Sequence, residues 1–156
     1  MKIKVISVGT KMPDWVGAGI EEYTKRLPGN FSLQFIEVPL VRRGKGQDIK
    51  QAIKKESTAL IDRLNGKEYV ITLEIRGKTM DTLALAKRVE SIRLEGRDIS
   101  LLVGGPDGLG KDCQRLANES WSLSALTLPH PLVRVVLAEQ IYRVWSILNN
   151  HPYHRQ

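Results

Sequence analysis

Leu101-Leu102-Val103-Gly104-Gly105-Pro106-Asp107-Gly108-Leu109-Gly110 is an apolar run that ends in a glycine-rich turn. That pattern describes a strand buried on both faces, delivering the chain to a loop at its carboxyl end. In open α/β sheets ligands collect outside those carboxyl ends. Glycines there let a ligand approach the main chain, because no Cβ stands in the way. The strand itself is read over Asp98–Val103. Outward from it, Lys111–Glu119 reads as a short helix, Trp121–Leu126 as the last strand and Leu132–Asn149 as the last helix. On the N-terminal side, Thr82–Glu95 is a helix stopped by Gly96, and Tyr69–Ile75 is another continuous apolar strand. Gln47–Leu64 carries Ile49, Ile53, Leu60 and Leu64 as a helix. Phe31–Val38 and Lys2–Val8 are strands. Between them Asp14 is placed as the cap of a helix with Trp15, Ile20, Tyr23 and Leu27, ending near Pro28-Gly29-Asn30. Five strands alternating with five helices give an α/β fold with a mostly parallel sheet and helices on both faces.

The 156 residues suit a single domain, 1–156, and 42% of them are apolar. No apolar run approaches the roughly 20 residues of a membrane span, so no membrane role is expected. Met1-Lys2-Ile3-Lys4-Val5 alternates like a strand and lacks the pattern of a signal peptide. The single cysteine, Cys113, can form no intrachain disulfide, which points to a cytoplasmic location. The net charge of +7 is uneven: residues 1–80 hold 15 Lys/Arg against 9 Asp/Glu, residues 81–156 hold 9 against 8. A basic half joined to a near-neutral half suits either a face that meets a polyanion or simple solubility.

The glycine loop has three readings. A dinucleotide fingerprint fails, because Gly108-Leu109-Gly110 is followed by Cys113 where the third glycine belongs. Gly105 to Lys111 spells a phosphate loop, but Asp112 replaces the Ser or Thr that would hold magnesium, and its carboxylate would repel a triphosphate. The third reading is a tight turn before a helix start. The next strand end, Leu123-Ser124-Ala125-Leu126-Thr127-Leu128-Pro129-His130-Pro131, is made rigid by two prolines. Such a loop offers main-chain polar groups between apolar side chains, a surface suited to an adenine ring or simply to a rigid connection.

The segments Leu101–Gly108, Trp121-Ser122-Leu123-Ser124-Ala125-Leu126-Thr127-Leu128-Pro129-His130 and His151-Pro152-Tyr153-His154-Arg155 closely resemble the RlmH family of SPOUT-type methyltransferases. The opening Val8-Gly9-Thr10-Lys11-Met12-Pro13-Asp14-Trp15 also looks like that family's. The resemblance covers essentially the whole chain. It implies a C-terminal trefoil knot, which the physics of sequence patterns would not anticipate. It implies S-adenosyl-L-methionine as methyl donor, held by Leu73, Gly104, Leu123, Ser124, Ala125, Leu126, Thr127 and Leu128. The implied reaction methylates N3 of a pseudouridine in helix 69 of 23S ribosomal RNA, on assembled ribosomes. It also implies a homodimer.

Three further expectations attach to this frame. His151 and His154 have a metal-like spacing, but Pro152 disturbs it and no cysteine or carboxylate cluster joins them, so no metal is expected. Instead Tyr153, His154 and Arg155 are read as reaching an active site of the partner subunit, where Tyr153 stacks a base, His154 moves a proton and Arg155 binds phosphate or the uracil anion. The last helix, apolar nearly all round, packs on the sheet or on a second chain. Arg42, Arg43 and Lys45 on one loop, with Lys11, Arg76 and Lys78 on others, are placed against RNA. Two rival classes stand beside this reading. A ribosome-associated binding protein would need only the basic loops, and a nucleotide hydrolase would use Gly105–Lys111.

Overall fold

The computed structural model describes residues 1–46 and 48–155. In chain order its elements are β1 (Lys2–Val8), α1 (Asp14–Thr24), β2 (Ser32–Val38), α2 (Ile49–Ile61), β3 (Tyr69–Thr79), α3 (Thr82–Leu94), β4 (Ile99–Val103), α4 (Lys111–Leu116), β5 (Glu119–Ser122) and α5 (His130–Leu148). The sheet runs β2-β1-β4-β3-β5, with every pairing parallel. The expected α/β class is therefore present.

Alternate residues along each central strand point to opposite faces. Val5, Ile71, Ile99 and Leu101 join one core with Val89, Ile92, Leu137 and Ile141 of α3 and α5. Ile6, Val70 and Leu102 join a second core with Leu60 of α2 and Cys113 of α4. Both faces are covered, which is why β4 is buried along its full length and reads as an unbroken apolar run. Burying a side chain such as Leu101 or Ile71 contributes about 1.5–3 kcal/mol.

The boundaries differ from expectation where local chemistry intervenes. Helix α1 begins at Asp14 with Pro13 at the cap, so Asp14 acts on the first-turn dipole instead of capping. Helix α2 is capped by Asp48, whose carboxylate accepts from the Lys50 N–H. Gln47, the expected start of that helix, lies outside the described residues. Strand β5 covers Glu119–Ser122 and not Trp121–Leu126. After it, the Ser122 hydroxyl donates to the Ser124 carbonyl, and the Ser124 hydroxyl oxygen accepts from the Leu126 N–H. Those two bonds form a turn and end the ladder.

Strand β3 runs to Thr79, beyond the expected Ile75. Trp121 is in register with Leu73 and again with Lys78, so residues 74–77 loop around it. Gly77 permits this wrap: a Cβ there would strike the Trp121 main chain. This arrangement is consistent with a C-terminal knot.

Candidate functional site

Because all strands are parallel, the loops after β1, β2, β4 and β5 and the bulged end of β3 collect on one side. The glycine loop after β4 is tight. Gly105 and Gly108 form an antiparallel bridge, the Gly108 N–H donates to the Gly105 carbonyl at 3.0 Å, and Gly108 has φ +79°. A Cβ on Gly104 would lie 2.5 Å from the Gly108 carbonyl carbon, so this position needs glycine. The loop is folded on itself and its Asp107 is ion-paired to Arg43, so it presents no open anion cradle. The phosphate-loop reading loses its geometry on that account.

A cavity of about 510 Å³ lies between this loop and the loop after β5. Leu73, Gly104, Leu123, Ser124, Leu126, Thr127 and Leu128 all line it, brought together from three strand ends. Ala125, placed with them by resemblance, is exposed and does not line the cavity. Glu74, Asp107, Gln114, His130 and Val133 line it as well. Sequence reading missed these, although Asp107 and His130 lay within the two motifs that drew attention.

The cavity has the size and apolar walls of a small-molecule site, for which roughly 300–1,000 Å³ is usual. Its polar contacts can come from the main chain and from wall side chains such as Glu74, Gln114 and His130. Among the described residues, the Leu126 N–H and the Ser124 carbonyl are the two backbone groups of 123–128 with a hydrogen-bond partner. The remaining groups are available for a ligand edge. Leu73, Leu123 and Leu128 can flank an aromatic ring, so the residues present fit an adenosyl group.

His130 stands at the start of α5 on the cavity wall. Burial, aided by the Arg134 charge, pushes its imidazole below the usual range. At neutral pH it is uncharged. Arg134 is buried and fixes the same helix: its Nη1 donates to Glu37 at 2.7 Å and its Nη2 to the Gly9 carbonyl at 2.8 Å. Burial raises the Cys113 thiol out of the reactive range, so it serves as core.

The basic residues divide into two groups. Lys11, Arg42 and Lys45 are exposed on loops at the cavity side of the sheet. Arg76 and Lys78 are also exposed, but they belong to β3 and not to loops. Arg76 lines the cavity. Arg43 is directed inward to Glu56 and Asp107.

The tail folds back on its own helix. The Tyr153 ring meets Tyr142 edge-on at 4.7 Å, and its hydroxyl donates to Glu139 at 3.0 Å. Burial and that carboxylate push the Tyr153 phenol up to about 12. It is therefore a hydrogen-bond donor at neutral pH and no base. The His154 Nδ1 lies 3.4 Å from Arg143, whereas Arg155 is exposed. Among the described residues 149–155, none lines the cavity. Nine helical steps separate His130 from Glu139, about 13 Å of rise, which keeps the tail away from the cavity.

Three comparisons bear on this geometry. The family model of predicted SPOUT methyltransferases matches residues 1–154. A protein of Marinomonas sp. strain MWYL1, named ribosomal RNA large subunit methyltransferase H, is 52% identical over 155 residues, covering 99% of this chain and 100% of that one. The solved structure of a probable methylase family protein from Haemophilus influenzae Rd KW20 superposes with a TM-score of 0.59 at 13% identity, over 99% of this chain and 70% of that one.

Proposed function

Because the chain belongs to the SPOUT methyltransferase family, we propose that it methylates large-subunit ribosomal RNA, at N3 of a pseudouridine in helix 69 of 23S RNA on assembled ribosomes. S-adenosyl-L-methionine is the proposed donor. The observation that carries this reading is the cavity between the two loops, with its apolar walls and its unpartnered main chain. The name of the Marinomonas relative, aligned along its full length, supports the substrate class.

When bound, S-adenosyl-L-methionine supplies an electrophilic methyl group on a good leaving group. The chain's residues have the task of alignment, which alone can contribute about 7–11 kcal/mol to a transfer between two bound partners. Leu73, Gly104, Leu123, Ser124, Leu126, Thr127 and Leu128 hold and orient the donor. Lys11, Arg42, Lys45, Arg76 and Lys78 meet phosphates on the same side of the sheet. The N3 proton must leave, and an anionic uracil ring must be stabilised. Tyr153, His154 and Arg155 are assigned to that half of the site, contributed by a second subunit. The tail's distance from its own cavity supports this arrangement. Trp15 on α1 and Leu132 on α5 are exposed apolar side chains that fit a subunit interface.

The test is mass spectrometry of 23S RNA from a strain lacking the protein. The proposal expects the helix 69 pseudouridine to lose its methyl group, with restoration by the purified protein and S-adenosyl-L-methionine. Retention of the methyl group would remove the substrate assignment. Calorimetric titration without RNA separately tests donor binding.

A further inference from the structure

Arg43 lies in the basic loop but is not one of its solvated cations. Its Nη1 and Nη2 donate to the two oxygens of Glu56 at 2.7 and 2.8 Å, and Nη1 also reaches the Val41 carbonyl at 2.7 Å. Its Nε donates to Asp107 Oδ2 at 2.7 Å. Glu56, on α2, is only 2% exposed and accepts a further bond from the Val41 N–H at 2.9 Å. A buried carboxylate held this way fixes its guanidinium partner, because removing either leaves an unpaired charge in a poorly solvated place. The fixed guanidinium then fixes Asp107 on the cavity wall. Glu56 also stands directly behind the glycine loop: a Cβ on Gly105 would lie 3.3 Å from its Oε1. One side chain therefore joins the basic loop, helix α2 and the glycine loop.

We propose that Arg43 is a positioning residue for methyl transfer, holding the glycine loop in its donor-accepting form through Asp107 and coupling that loop to the RNA-facing loop at 41–46. The inference rests on the methyltransferase reading. It reassigns Arg43 from phosphate contact to holding the donor-accepting loop. Coupling of this kind is reciprocal: donor binding strengthens RNA engagement by the same factor that RNA strengthens donor binding.

The test compares Arg43→Lys, Asp107→Ala and the double variant. Lysine keeps the charge but cannot span Glu56 and Asp107 in a fork. Each single variant is expected to raise the dissociation constant and KM for S-adenosyl-L-methionine about tenfold, with kcat on ribosomes near that of the unsubstituted protein. The double variant is expected to bind no more weakly than the singles, since both break one connection. Saturating S-adenosylhomocysteine should tighten ribosome binding about fivefold or more in the unsubstituted protein and not in Asp107→Ala. Effects that multiply in the double variant would overturn the proposal, as would a lowered kcat with unchanged KM. Should Arg43→Lys fail to fold, Asp107→Ala decides alone, because its side chain is surface-accessible. If the unsubstituted chain bound no donor, the methyltransferase reading would fall and this inference with it. Normal donor binding by both the unsubstituted chain and Asp107→Ala overturns the coupling alone.

Discussion

Replacing Gly104 with alanine probes the glycine loop most directly. The added Cβ would sit 2.5 Å from the Gly108 carbonyl carbon, 2.6 Å from its oxygen and 2.9 Å from the Leu109 nitrogen. Carbon atoms in contact prefer about 3.5–4.0 Å, so the turn must open by about an ångström. The obstruction is backbone, held across the loop by the Gly105–Gly108 bridge, so no side chain can swing aside. Overpacking of this kind costs about 1–3 kcal/mol. If the loop relaxes in the free protein, restoring the donor-accepting shape weakens S-adenosyl-L-methionine binding by about 10- to 100-fold, at roughly 1.4 kcal/mol per factor of ten. If it does not relax, the cost lowers the urea midpoint instead. Calorimetry and urea unfolding together capture both. Gly17→Ala is the control: nothing lies within 4 Å of its added Cβ, and alanine in a helix is worth about 0.5–1 kcal/mol over glycine. A Gly104→Ala protein with unchanged affinity and unchanged midpoint would refute the steric account of this loop.

Three further outcomes are expected. The folded state depresses the His130 imidazole below its ordinary 6.5, so it favours the neutral form. That contribution to stability is intact above the unfolded value and declines as pH falls through it toward the folded one, and His130→Gln should flatten the urea midpoint over that acidic window. Tyr153 is raised to about 12, so its protonated phenol stabilises the fold below about 10 and the contribution is lost as pH climbs through 12. Tyr153→Phe should remove a phenolate step near 12 from an absorbance titration and cost about 1 kcal/mol in urea unfolding. Light scattering should find a dimer at micromolar concentration; a monomer would eliminate the composite site.

The central architecture was legible because β1, β3 and β4 are buried from both sides and carry apolar runs. Strand β5 was not, since Glu119-Ser120-Trp121-Ser122 has neither a run nor a clear alternation. Its identity as a strand depends on pairing with residues far away in sequence. The far end of β3 was missed for a related reason. Ile75, Arg76, Lys78 and Thr79 are exposed; main-chain pairing with β5 holds Lys78 and Thr79, and Ile75 and Arg76 lie in the bulge before them. At the site, turn chemistry and resemblance pointed to Gly104 and the Leu123–Leu128 loop. No local pattern could show that Arg43 turns away from solvent, because Glu56 and Asp107 lie 13 and 64 residues away along the chain.

The strand order also bears on how the chain comes to be made. Strand β4 occupies the place between β1 and β3, so it must enter last of the three. While the chain emerges at about 5–20 residues per second, β1 and β2 can pair early, yet one edge of β1 stays bare until residue 103 has appeared. A bare edge invites foreign strands, and charged side chains on such an edge discourage them. Lys2 and Lys4 lie on that strand. The cavity, whose walls reach from Leu73 to Val133, has no contribution from the described residues among the first seventy. The emerging chain therefore shows its basic half before it can hold a methyl donor, and it gains that capacity only once residue 133 has appeared.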